Sequence, residues 1–131
     1  MSTRETFGQT CERVSERQGW EVLPSGVRVD LPGGRRQVVS MEFFDFESQE
    51  LVRFYTLIGA AERLSTERLA LALQINARLA HGALAVRDGE LIMATTLLLK
   101  DADAAEIEAS IAYLAETADY YEKTLFGTDR H

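Results

Sequence analysis

The chain has 131 residues, the length of one domain, and we expect a single folded unit over 1–131. Apolar residues make up 46% and charged residues 27% of the chain, which predicts a globular protein and not a disordered one. The formal net charge of -7 repels phosphate backbones, so the sequence disfavours nucleic-acid binding.

Cysteine usage and hydropathy predict a cytoplasmic protein. Cys11 is the only cysteine, so the chain cannot form an internal disulfide, as is usual in a reducing compartment. The first residues lack the apolar core of a secretion signal, and no apolar run approaches the ~18 residues that a membrane span needs. We therefore expect no membrane partner.

The first part of the chain predicts a helix followed by an antiparallel meander. Ser2 and Glu5 have capping-box spacing before a helix over 3–18, and Gly19 is a typical C-terminal stop. Frequent turn signals then separate strand-like runs that are rich in β-branched and aromatic residues. The three runs are 27–31, 36–46 and 51–60, with 20–23 as a further edge piece.

A second helix and a hairpin follow the meander. Ser65 or Thr66 caps a helix that runs to about Ala80. Asp88-Gly89 then lies between two alternating runs, which predicts a type I′ hairpin turn. Pairing outward from that turn places four apolar residues on one face. These four are Leu84, Val86, Leu91 and Met93.

The last element is a helix of about 22 residues. Asp103 and Glu106 have capping-box spacing at its start, and apolar residues recur along one stripe. The fold class predicted is α+β, an antiparallel sheet with the element order α-βββ-α-ββ-α. The predicted core consists of Val39, Met41, Phe43, Phe54, Ile58, Leu84, Val86, Leu91, Met93, Ile107, Ile111 and Leu114.

The residues that catalysis or metal binding needs do not converge. His81 and His131 are the only histidines, and neither has metal-ligand spacing to Cys11. Asp101 and Asp103 are better explained by helix capping than by a cation site. We therefore predict no catalytic residues, no metal and no cofactor.

The order of elements carries a resemblance to known families. Leu73–Leu79 leads into the hairpin Gly82–Lys100, and an acidic helix ending Ala118–Tyr121 follows. This resembles the C-terminal half of the YbjN-type sensory transduction regulators. The whole α-βββ-α-ββ-α order resembles the class I chaperones of type III secretion, including the Tir chaperone group.

The resemblance implies a small, acidic, cytoplasmic homodimer whose second helix helps to make the dimer. It also implies a non-enzymatic module of the chaperone or adaptor type, whose apolar patches hold an extended segment of a client protein. A regulatory domain of the same fold that senses a small ligand is the alternative. An enclosed pocket would favour the sensor, and an exposed apolar patch would favour the binding module.

The second helix is apolar over roughly 240° of its circumference, where about 100° suffices for packing on one core. Leu71, Ile75 and Leu79 lie well around from the side that carries Leu69 and Leu73. One side can cover the protein's own sheet, so we expect the other three residues to form a dimer interface. The alternative is a sheet that curls around the helix.

The predicted client-binding surface lies on the second and third strands of the meander. A four-residue loop over 47–50 would pair Phe46 with Leu51 and place Phe43 against Phe54. The face opposite that core pair is amphipathic, with aromatic residues and an arginine, which is the composition of an interface centre. It carries Phe44, Phe46, Leu51, Tyr55 and Leu57, interrupted by Glu42 and Arg53. The first helix or a loop could instead cover it, and a slip of one residue would exchange the two faces.

Overall fold

A computed structural model describes residues 2–127, so His131 lies outside the described residues. The predicted α+β class and element order are confirmed, and the predicted edge piece forms a short first strand. The six strands form one antiparallel sheet in the order β1-β2-β3-β4-β6-β5. The elements are α1 (Thr3–Gln18), β1 (Glu21–Leu23), β2 (Gly26–Asp30), β3 (Arg36–Phe46), β4 (Gln49–Ala60), α2 (Thr66–Asn76), β5 (Ala83–Arg87), β6 (Glu90–Leu98) and α3 (Ala104–Leu125).

Local capping and turn signals lie where the sequence predicts them. Ser2 and Glu5 make both hydrogen bonds of a capping box at the start of α1. The Asp103 side chain accepts a hydrogen bond from the Glu106 backbone N–H at the start of α3. Asp88 has a φ of 52°, and the glycine after it also has a positive φ, as a type I′ turn requires.

Helix α2 ends earlier than predicted, at Asn76 and not at about Ala80. The Asn76 side-chain amide donates to the Leu84 carbonyl and its oxygen accepts from the Leu84 N–H, at 3.0 and 2.7 Å. These two bonds attach the end of the helix to β5 and leave the following residues as a turn. The helix end is therefore fixed by a contact with a strand that lies later in the chain.

The loop between β3 and β4 is shorter than the four residues predicted from the sequence. The turn contains two residues, Glu47 and Ser48, both with positive φ, and Phe46 pairs with Gln49 and not with Leu51. The register therefore differs from the prediction by two residues. Because side chains alternate with period two, a shift of two leaves every side chain on its predicted face.

The three helices pack on one face of the sheet and enclose the core. Nine of the twelve predicted core residues are buried, and Met41 packs against the core from its edge. The nine are Val39, Phe54, Ile58, Leu84, Leu91, Met93, Ile107, Ile111 and Leu114. The α3 residues Ile107, Ile111 and Leu114 are completely buried, so this helix supplies the centre of the core.

Two predicted core residues lie near the rim. Val86 is 55% exposed because β5 is an edge strand, and α2 ends where it is bonded to Leu84, two residues before Val86. Phe43 lies near the β3–β4 turn, where it makes a T-shaped contact with the Phe7 ring and the guanidinium of Arg4 lies 5.0 Å from its centroid. Its side chain is exposed. Both residues were predicted to be buried because they alternate with core residues along their strands. Alternation does not report how far the helices extend over the sheet, and these two residues lie at the edge of the covered area.

Candidate protein-binding surface

Within residues 2–127, one face of the sheet carries no helix. Helix α1 packs through Phe7, whose ring centroid lies 5.6 Å from that of Phe43 and 6.0 Å from that of Phe54. These two rings belong to the covered face, so α1 does not cover the other face, which we call the open face. Its β3 and β4 residues are Arg36, Val38, Ser40, Glu42, Phe44, Phe46, Gln49, Leu51, Arg53, Tyr55 and Leu57.

All five predicted client-contact residues lie on the open face. Phe46 and Leu57 are the most exposed of them, at 61% and 49%. Phe44, Leu51 and Tyr55 are half-buried among neighbouring side chains. The open face therefore presents an exposed apolar group at the end of β3, Phe46, and another near the end of β4, Leu57, with Phe44 and Tyr55 between them.

A charged network covers the aromatic pair. Arg53 and Arg87 each donate from Nη1 to the same carboxylate oxygen, Oε1 of Glu42, at 2.8 Å. The Arg53 guanidinium lies 4.3 Å from the centroid of the Phe44 ring, and the Arg87 guanidinium lies 4.3 Å from that of Tyr55. Both are cation–π contacts. We call these five residues the Arg–aromatic centre.

Arg87 joins this centre from the far edge of the sheet. It lies on β5, and the strand order places β6 and β4 between it and Glu42 on β3. Its side chain crosses β6, whose open-face residues at this level are Ile92 and Ala94. Ala94 is small, which leaves room for a long side chain to lie flat.

Sequence reasoning missed Arg87. The hairpin pattern correctly placed it opposite Glu90, but the contact with Glu42 depends on β4 pairing with β6. No local pattern encodes that pairing. Period-two alternation in both hairpins does place Glu42, Arg53 and Arg87 on the same face once the strand order is known.

The five residues of the Arg–aromatic centre carry a net positive charge in an acidic molecule, and Glu90 lies opposite Arg87 at its edge. Hydrogen bonds from Arg53 first, and then from Arg87, hold the pKa of Glu42 below its usual range, so the carboxylate is ionised at neutral pH. The bond to Glu42 likewise raises the pKa of Arg87. Two guanidiniums share one carboxylate, which leaves a charge of +1 here, whereas the whole chain carries -7.

The predicted dimer residues divide between inside and outside. Ile75 and Leu79 are partly buried and pack against the protein's own core. Leu71 points outward and is 39% exposed. Leu73, which the helical spacing placed on the other side, is the most exposed large apolar residue of α2, at 71%. Leu71 and Leu73 are two positions apart, so these exposed leucines project from opposite flanks of α2, on either side of the buried Ala72.

A groove of about 440 Å³ lies between α1 and the β1–β2 turn. Apolar side chains line much of it, among them Phe7, Cys11 and Met41, and it opens to solvent. Burial raises the pKa of the Cys11 thiol, so the thiolate is disfavoured. Among residues 2–127 no cluster of three or more histidine, cysteine or acidic side chains could hold a metal ion. No helix in the same range is long and apolar enough to cross a membrane.

Solved structures of similar fold include three complexes. The HopA1–SchA chaperone–effector complex matches with a TM-score of 0.62 and 11% identity, over 94% of this chain and 98% of the other. The ExsC–ExsE complex matches with a TM-score of 0.66 and 11% identity, over 94% and 95%. The Yersinia pestis type III secretion chaperone SycH, in complex with a fragment of YscM2, matches with a TM-score of 0.55 and 11% identity, over 87% of this chain and 98% of the other. The chain thus has the fold of the type III secretion chaperones.

The other comparisons add little. No protein-family model and no curated protein sequence matches this chain. The E. coli protein YbjN matches with a TM-score of 0.35 and 12% identity, over 82% of this chain and 93% of the other. That score does not establish a shared fold with YbjN. The likeness to the secretion chaperones therefore depends on the other structures. At their level of sequence identity they establish the fold alone.

Proposed function

We propose that this protein is a non-enzymatic, cytoplasmic protein-binding module of the secretion-chaperone or adaptor type. An extended apolar segment of a client protein lies across the open face and contacts Phe44, Phe46, Leu51, Tyr55 and Leu57. The observation that carries this proposal is the uncovered sheet face with exposed Phe46 and Leu57 at its two ends. A sheet face turned to water is normally mostly polar, whereas this one mixes charged side chains with exposed apolar and aromatic ones.

Two further observations support a protein partner. Aromatic and arginine side chains are the residues enriched at the centres of protein interfaces, and both meet at the Arg–aromatic centre. The similar folds SchA with HopA1 and SycH with a YscM2 fragment occur in complexes with other proteins. An extended segment also suits this surface because β-strand addition at a sheet edge can accompany side-chain contacts on its face.

Affinity purification of the tagged protein from its native cell tests this function. We expect one protein to co-purify in stoichiometric amount. Removal of the apolar groups of the open face should remove that protein from the eluate. Recovery of the tagged chain alone, under conditions that preserve known complexes in the same cell, would contradict a client-binding role.

We also infer that the protein is a homodimer whose interface includes the outer surface of α2, with Leu71, Ile75 and Leu79 as the predicted contacts. Leu71 supports this inference, because an exposed leucine gains by burial in an interface. Ile75 and Leu79 already pack partly on the protein's own core, so they would meet a second copy only with their outer edges.

Leu71→Glu is expected to give a folded monomer. A carboxylate in an apolar interface is costly to desolvate, whereas at an exposed site in the monomer it costs little. Size-exclusion chromatography with light scattering measures the mass, and circular dichroism checks the fold. Glu67→Gln, one turn earlier on the same helix, is the matched control. A wild-type monomer at micromolar concentration would refute the dimer.

A small-ligand sensor of the same fold is the second candidate, and the groove beside α1 is the feature that favours it. Its volume of about 440 Å³ lies within the ~300–1,000 Å³ typical of ligand sites. The groove is open to solvent and not enclosed, which favours the binding module. Native mass spectrometry of protein purified from its own cell distinguishes the two, because a resident ligand adds a discrete mass to the chain.

A further inference from the structure

We propose that the Arg–aromatic centre selects client segments in which an acidic side chain stands among apolar ones, and that Arg53 and Arg87 together hold its carboxylate. This inference rests on the function proposed above, since it names the chemistry of the segment that the open face takes. The ligand chemistry is a carboxylate within an extended apolar peptide.

The guanidiniums have donors to spare for such a carboxylate. An arginine side chain carries five N–H donors, and each of these two arginines uses Nη1 for Glu42. Both bonds go to the same oxygen, Oε1, so two cations share one anion. Arginine and carboxylate commonly pair through two parallel bonds, which makes a second carboxylate the natural complement of this site.

The aromatic rings hold the guanidiniums in place before a partner arrives. Arg53 lies over Phe44 and Arg87 over Tyr55, each at 4.3 Å, and both side chains remain more than a third exposed. A group that is already ordered loses less entropy when it binds. The two rings thus support the guanidiniums from the side of the sheet. The solvent-facing N–H groups of the two arginines are then directed toward a partner that lies on the sheet.

The surroundings of the centre define the rest of the segment. Exposed Phe46 and Leu57 lie toward opposite ends of the open face, with Arg53 between them along β4. From Gln49, which pairs with Phe46, to Leu57, β4 covers roughly 26 Å at ~3.3 Å per residue. A segment of about nine residues would therefore contact both apolar ends and place its central side chain, which shares a face with both end side chains, at the arginines.

The overall charge does not reverse this preference. The net charge of -7 repels an acidic peptide at long range, but at physiological ionic strength such repulsion is screened beyond about 8 Å. Contacts with the two arginines lie well inside that distance. A basic segment would be attracted by the molecule as a whole and repelled at the centre.

Three model peptides test the inference. Each has the sequence Val-Thr-Phe-Thr-Xaa-Thr-Phe-Thr-Val with blocked ends, and Xaa is Glu, Gln or Lys, so that Xaa shares one face of the extended peptide with the apolar side chains. NMR titration of the wild-type protein gives the dissociation constants and reports the side-chain Nε–Hε signals of both arginines. We expect the Glu peptide to bind about tenfold or more tightly than the other two, as bonds to charged groups allow.

Three variants give the inference its sharpest test. Arg87→Gln should bring the three dissociation constants within about threefold of one another. Glu42→Gln should have the opposite effect and tighten the Glu peptide severalfold, because it removes the competing carboxylate, while the Gln peptide binds as before. Arg36→Gln is the matched control, since Arg36 lies on the same face but pairs with Asp30. Melting temperatures confirm that all three variants fold.

The outcomes separate this inference from the function on which it rests. Equal binding of the three peptides, with signals shifting on the open face, overturns the acidic preference and leaves client binding intact. Tighter binding of the Lys peptide also overturns it. Peptides that shift no open-face signal at millimolar concentration contradict both the acidic preference and the open face as the binding surface.

Discussion

Ile111→Ala is expected to lower the free energy of unfolding by about 2–5 kcal/mol. Ile111 is completely buried at the centre of α3, where the helix packs on the middle of the sheet. The truncation removes apolar contacts and leaves a cavity that the surrounding strands cannot fill. Urea denaturation at neutral pH measures the change, and a whole domain has a stability of only about 5–15 kcal/mol.

Val86→Ala is the matched control, because it also shortens a β-branched residue that was predicted to be core. Val86 is 55% exposed, so its truncation should cost no more than about 0.5 kcal/mol. The loss in free energy of unfolding for Phe43→Ala should lie between those for Ile111→Ala and Val86→Ala, because the Phe43 ring is exposed but contacts the Phe7 ring. A loss below about 0.5 kcal/mol for Ile111→Ala would contradict the placement of α3 on the sheet.

The double variant Phe44→Ser, Tyr55→Ser is expected to abolish capture of the client. These two rings support the guanidiniums of Arg53 and Arg87, so their loss removes both apolar contact area and the order of the charged groups. Central aromatic residues of an interface commonly contribute 2 kcal/mol or more each, so the pair accounts for roughly a thousandfold in affinity. Pull-down and isothermal titration with the co-purified protein measure the loss.

The fold should survive this double substitution. Both rings lie on the open face and neither belongs to the buried core, so we expect only a modest fall in melting temperature. Tyr120→Ser is a suitable control, because Tyr120 is an exposed aromatic residue on α3, away from the open face. An unfolded double variant would show that the two rings are core residues. Undiminished capture by a folded variant would place the client elsewhere.

Local signals account for what the sequence predicted well. Ser2 with Glu5, and Asp103 with Glu106, act within one turn of a helix, so their spacing reports directly on the helix starts. Asp88-Gly89 fixes its hairpin through the positive φ of both residues. Period-two alternation assigned the five client-contact residues to one face, and this assignment holds even though the predicted register is off by two residues.

Long-range contacts account for what the sequence did not predict. The tight turn at Glu47 and Ser48 contains no glycine, so the residue types gave no sign of its length. The exposure of Val86 depends on where α2 ends, and that depends on the bonds between Asn76 and Leu84. The contact of Arg87 with Glu42 spans three strand pairings. The alternation of residues along the strands does not determine the order in which those strands pair.

Site-specific photo-crosslinking in the native cell tests the central claim, client binding on the open face, most directly. A photoreactive phenylalanine analogue would replace Leu57, which is half-exposed on this face, or Tyr120, which is exposed on α3. We predict one dominant crosslinked protein from the Leu57 position and none from the Tyr120 position. Crosslinks to that protein from Tyr120, with none from Leu57, would contradict the account.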